Sequence, residues 1–357
     1  MNSSFRATGH SGNLGVTGNE AVIRHGEVRA INGHTVTDGE FQGDTRLFNI
    51  GNPRNPHAGD FVFGGLIFDW AWSEHAGMQG LNLHTTGTAE VRNIYFHGVH
   101  SLGTHGSIRA ATLADDSLGM FSNIDMSWGG LHYANTINQR TTDYYSGATD
   151  VSGRLPPSWS TSGFTVGSEQ RGTMLVEDVV CGPWPDNGLY LKGGYPETSV
   201  GRKILRNCIA FNSNVANIRV NSGDDWEPIE WIDGENPDLY DRTVVENCHV
   251  FVDENYDPRI YGSQRGVRLD DGDPIIRDSL IELIEPTDEA LSIMLDTDGA
   301  TVERVQIDLY EPETAIRASG ANATVRDAVV NMYGFDDPGR ALTHVSEDVV
   351  ALNSVSV

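Results

Sequence analysis

KILRNC, residues 203–208, carries an Asn207 that has counterparts elsewhere in the chain. Forty residues on stands VVENC (244–248); EVRNI (90–94) precedes both, and PIIRDS (274–279) and TVRDAV (324–329) follow. Each writes an apolar residue, a polar one, Asn or Asp, then a small or apolar one. Aligned on the third position, the anchors are Asn93, Asn123, Asp178, Asn207, Asn247, Asp278, Arg304, Asp327 and Asn353. Successive anchors stand 30, 55, 29, 40, 31, 26, 23 and 26 residues apart. The 55 is about two units, which leaves a bare repeat of 23–30 residues.

A second short segment precedes most anchors: 164–166, 189–191, 218–220, 267–269, 293–295 and 316–318. Each alternates apolar and polar residues before Gly, Asp, Asn or Ser, the pattern of a strand running into a turn. No long stripe at helical spacing appears, and Gly supplies 40 of 357 residues. Two or three strands per repeat predict an all-β solenoid of stacked parallel coils. Within KILRNC this puts Leu205 inside, Arg206 outside, Asn207 on the bend and Cys208 against the next coil.

The unit resembles the repeat of the right-handed parallel β-helix (pectate-lyase-like) superfamily, well over residues 80–357 and loosely before. The resemblance implies a right-handed parallel β-helix in which an inward Asn ladder marks a coil bend, interrupted where Arg304 replaces Asn. The expected division is 1–80, an N-terminal cap and first coils, then 81–357, the β-helix proper. Long insertions are expected at 127–163, 221–242 and 252–265. The superfamily contains lyases, hydrolases, phage tailspikes and adhesins, so the repeat speaks to fold and not to activity.

Asp and Glu number 50 against 24 Lys and Arg, a formal charge of −26. Only Lys192 and Lys203 are lysines. Dense acid with almost no lysine fits a halophile, in whose molar salt a Debye length of about 3 Å screens the self-repulsion; an acidic mesophilic protein is the rival reading. No basic run suits nucleic acid, and no apolar run approaches the ~20 residues of a membrane span. The N-terminal MNSSFRATGHSGNLG has neither a basic nor an apolar signal region. Cys181, Cys208 and Cys248 lack CxxC spacing, and the register shared by Cys208 and Cys248 suggests packing rather than a disulfide.

Chemistry on a solenoid is expected in its interruptions. The candidate glycan-binding aromatics are Trp128, Tyr133, Tyr144, Tyr145, Trp159, Trp184, Trp226 and Trp231, since a ring can stack on the C–H face of a sugar. The alternative for each is to cover the solenoid's side. Asp224, Asp225, Asp270 and Asp271 follow strands of consecutive coils and are the catalytic candidates for glycoside cleavage by paired carboxylates. Asp270, Asp271 and Asp273 are candidate calcium ligands; the resemblance to lyases of the superfamily implies a basic residue as general base beside the ion, for which Arg265 or Arg268 is the candidate. Solvated surface is the plain alternative for all of these acids. His97 and His100, after the strand at 94–96, form a further titratable pair.

The expected function is a virion or cell-surface β-helix protein that binds surface glycan or a receptor, tailspike- or turret-like. It would be a homotrimer at the virion surface or outside the cell and would require no cofactor. The alternatives are a secreted polysaccharide lyase or glycoside hydrolase acting on acidic polysaccharide, Ca²⁺ being its candidate cofactor, and a structural surface protein with no ligand.

Overall fold

A computed structural model describes residues 3–8, 14–15, 21–32, 45–69, 78–100, 106–130, 162–184, 186–192, 201–223, 242–253, 264–286, 289–319, 323–336, 342–343 and 350–355. Among these residues every regular element is a strand, and none is a helix able to cross a membrane.

The strands form two sheets, one of 17 strands and one of 11, paired in parallel. The chain visits the sheets in turn. Asn187–Leu191 lies in the smaller sheet, Arg202–Arg206 and Ile209–Phe211 in the larger, Ala216–Asn221 in the smaller again. Each visit pairs with the equivalent strand one repeat away, as in Leu205↔Val245 and Ile218↔Val267. This is consistent with a parallel β-solenoid, and all six short segments read from the sequence pair in the smaller sheet. Pairing crosses residue 80 without a break, because Phe61–Asp69 pairs with Thr88–His97.

Alternation along each strand buries one side. Leu205, Val245, Ile276 and Val302 stack inside, each fully buried. The early coils fill their interior with Phe48, Phe63, Phe68, Phe96, Phe121 and Phe164; later coils use Val, Ile and Leu. Cys181, Cys208 and Cys248 are free, buried thiols within this core.

Eight anchors mark a sharp bend in the larger sheet, and the reason for their identity differs from a buried amide ladder. Asn93, Asn123, Asp178, Asn207, Asn247, Asp278, Arg304 and Asp327 all have φ between 49° and 57°. All eight are exposed. The left-handed conformation crowds an L residue, and Asn and Asp tolerate it best after Gly. The ladder therefore runs along the outside: Asn123 donates to Asn93 at 2.6 Å, and Asn247 to Asn207 at 2.6 Å. At Arg304 two guanidinium contacts to Asp278, each 2.7 Å, replace the amide bond. Asn353 is not a ninth anchor, since it pairs with Asn331, four residues past Asp327. Asn247→Val, which puts a β-branched residue at φ 50°, should cost about 1–2 kcal/mol in denaturant unfolding, and Asn247→Gly much less.

Just before the bend, the outward row reads Glu177, Arg206, Glu246, Arg277, Glu303, Arg326. The alternating signs pair coil to coil: Arg206 with Glu177 at 2.8 Å, Arg277 with Glu246 at 2.7 Å, Arg326 with Glu303 at 2.6 Å. Opposite charges facing across strands help fix the coil register.

Candidate functional site

The smaller sheet presents a different outward row. Its register stacks Asn49, Asn82, Arg109, Thr165, Tyr190, Arg219, Arg268, Met294 and Arg317. Each lies between inward-facing core residues, as Arg219 does between Ile218 and Val220, so the pleat turns the row outward. Four of the nine are arginine and none is acidic, in a chain with twice as many acids as bases. At 4.7–4.9 Å per strand the row extends about 38 Å along the coil stack.

Asp270 organises the row's middle. It is only 2% exposed and accepts from Arg219 at 2.7 Å, from Arg268 at 2.6 Å and from Lys192 at 2.9 Å. Lys192 also reaches Asp271 at 3.0 Å, and Arg268 reaches Asp296 at 2.6 Å. Burial alone would raise the Asp270 carboxyl, but Arg219, Arg268 and Lys192 outweigh it and hold the group below its ordinary value. Arg219 lies over the Tyr190 ring, 5.3 Å from the centroid, a cation–π contact that fixes both side chains. Asp186, four residues before Tyr190, keeps some solvent exposure although its carboxyl sits deep. Burial raises it to about 6, partly offset by Arg219 and by hydrogen bonds from Ser162 and Asn187.

The second lysine lies directly behind. Lys203 alternates with Leu205 onto the inward side and is fully buried. Its Nζ donates to Asn221 Oδ1 at 3.0 Å, and Asn221 is the cross-strand partner of Asp270. Burial lowers its amine to about 7. Both lysines of the chain thus converge on one place.

On the larger sheet, Trp128 is 45% exposed. Its indole N–H donates to the Tyr95 hydroxyl at 3.0 Å, and the His97 ring stands at 85° to it with centroids 5.3 Å apart.

Of the residues singled out by sequence, Asp270 and Asp271 fall within the cation cluster. The depressed Asp270 carboxyl, with three cationic donors, is the opposite of the raised acid that glycoside protonation needs. Asp270, Asp271 and Asp273 do not converge: among the described residues no three His, Cys, Asp or Glu side chains come together to hold a metal ion. Arg268 is bound to Asp270 and Asp296, and Arg265 is 8% exposed, turned toward Met294 and the Val215 carbonyl. Trp184 is 1% exposed and packs in the core near His100, itself buried, so its ring covers the interior instead of meeting a ligand. His97 is the more open of the two histidines and belongs to the Trp128 cluster. Asp224, Asp225, Tyr133, Tyr144, Tyr145, Trp159, Trp226 and Trp231 lie outside the described residues.

Sequence reasoning passed over Asp186, Tyr190, Lys192, Lys203 and Arg219. One signal was present: the only two lysines stand eleven residues apart. Comparison with protein-family models, curated proteins and solved structures found no match. The fold and site together define an all-β protein of parallel sheets with a basic, hydrogen-bonding row on one face.

Proposed function

We propose that this chain is a right-handed parallel β-helix of a halophile's virion or cell surface, and that it binds an acidic glycan laid along the outward row of the smaller sheet. The observation that carries this reading is the row Arg109, Thr165, Tyr190, Arg219, Arg268, Met294, Arg317: four guanidinium groups and a phenol along one-strand steps, with no acid at a row position, although Asp270 and Asp296 beside the row engage Arg219 and Arg268. Guanidinium forks bind carboxylate and sulfate groups in two-point fashion, and side chains on strands are held more rigidly than side chains on loops. The right hand is supported by the near-universal handedness of parallel crossovers. In molar salt long-range attraction is screened, so recognition rests on short hydrogen bonds.

The test is retention of uronate-bearing and sulfated polysaccharides by the immobilised full chain in molar KCl. Arg219→Gln and Arg268→Gln should each weaken retention by about tenfold, whereas Arg326→Gln, on the alternating-charge face, should not. Equal retention by all three, or none by the parent, would remove the row from consideration.

A cleaving enzyme is the second reading, favoured by Asp186, a carboxyl near 6 facing Arg219 and Tyr190. That value suits proton transfer near neutral pH. New reducing ends or unsaturated uronates, abolished in Asp186→Asn with binding intact, would establish it.

A further inference from the structure

Trp128 lies in the turn after Leu118–Met126, open to solvent on the larger sheet. Tyr95 and His97 alternate outward on Thr88–His97. Asp125 is the cross-strand partner of Tyr95, and its carboxylate accepts the Ser127 N–H at 2.8 Å, which fixes the turn that carries Trp128. The indole is therefore held by its N–H to Tyr95 and by the perpendicular His97 ring. Tyr95 accepts from the indole, which leaves its own phenolic proton to donate. Ile67, the cross-strand partner of Tyr95 on its other side, is also exposed, but an indole and one aliphatic side chain rimmed by a phenol, an imidazole and a carboxylate fall short of the larger, less polar patch that a hydrophobic partner protein would need.

We infer that Trp128, Tyr95, His97 and Asp125 form a second saccharide subsite, which takes one neutral hexopyranose ring with its C–H face on the indole. The ring's hydroxyls would meet the Tyr95 hydroxyl and the Asp125 carboxylate at the rim, with the His97 ring holding the indole in place. The Asp125 carboxylate at the rim argues against an acidic sugar here. The subsite lies on the other sheet from the arginine row, so it stands whether or not that row binds glycan.

The test is saturation-transfer NMR on the full chain in molar KCl, with methyl glycosides of glucose, galactose, mannose and N-acetylglucosamine, and with glucuronate and choline chloride as competitors. At least one neutral glycoside should receive saturation at its ring C–H protons. Trp128→Ala should weaken that ligand about tenfold or more, and Tyr95→Phe about threefold, both with unchanged melting because Trp128 is surface-exposed. Arg219→Gln should leave it unaltered. No transfer to any of the four, an unaltered signal in Trp128→Ala, a loss in Arg219→Gln, or stronger binding of glucuronate or choline would each overturn the inference.

Discussion

Val245→Asp is expected to abolish the cooperative unfolding transition in molar salt, whether followed by calorimetry or by far-UV circular dichroism. Val245 is fully buried, flanked on its inward row by Leu205 and Ile276 of the neighbouring coils. An ionised carboxylate there would lose its hydration between the apolar side chains of Leu205 and Ile276, and even in its neutral form an unpaired carboxyl costs several kcal/mol. The valine's own burial, about 1.5–3 kcal/mol, is lost as well. Against a typical total stability of about 5–15 kcal/mol this is enough to unfold the domain. Because each coil contacts only its neighbours, damage at one coil also removes the surface on which the next is laid. Glu246→Gln, one residue along but outward, should keep the transition. A Val245→Asp protein that melts like the parent would mean that the inward row has been assigned to the wrong side.

Lys203→Met should change how stability depends on pH. The buried Lys203 amine has its folded value lowered to about 7, from an ordinary value near 10.5. Between these two values the unfolded chain holds a proton that the folded chain does not, so stability rises with pH, at up to about 1.4 kcal/mol per pH unit. Below pH 7 both states hold the proton and the slope vanishes, leaving the full penalty of a buried ammonium. The cysteines oppose this at higher pH, since burial raises the Cys181 thiol, and a hydrogen bond to Cys248 together with burial raises Cys208. The difference between the parent and Lys203→Met cancels that contribution. That difference, measured by denaturant unfolding in molar salt, should move in the parent's favour from pH 7 upward, with the methionine variant the more stable near neutrality. A flat difference between pH 7 and 10 would show that Lys203 stays charged in the folded state.

How much of this was legible in the sequence follows from the range of each signal. The six short segments of the smaller sheet, the inward Leu205 and the outward Arg206 were readable, because alternation along a strand is local. The anchors were readable as a repeat but not as an exposed row. An Asn in a buried amide ladder and an Asn chosen for a φ near 50° look identical in sequence. Asn353 looked like the next anchor and fell four residues out of register, since the last strand's pairing is decided by packing on Ala328–Tyr333. Nothing local marked Lys203 as inward or Asp270 as the acceptor of three cations. Lys192 and Asp270 are 78 residues apart in sequence (270 − 192) and within 2.9 Å in space. Insertions of different length separate the coils, so sequence spacing alone does not say which residues share a row.

The sequence by itself determined the repeat, the all-β class and the acidic, lysine-poor surface, because strand alternation, turn residues and net charge act within one coil or over the whole molecule. Only the tertiary structure decided which side chains meet: the outward arginine row, the convergence of both lysines on Asp270 and Asn221, and the fixed indole of Trp128. These depend on coil-to-coil register, which brings residues tens of positions apart into adjacent strands about 4.8 Å away, and a shift of one residue would have turned every one of them to the opposite face.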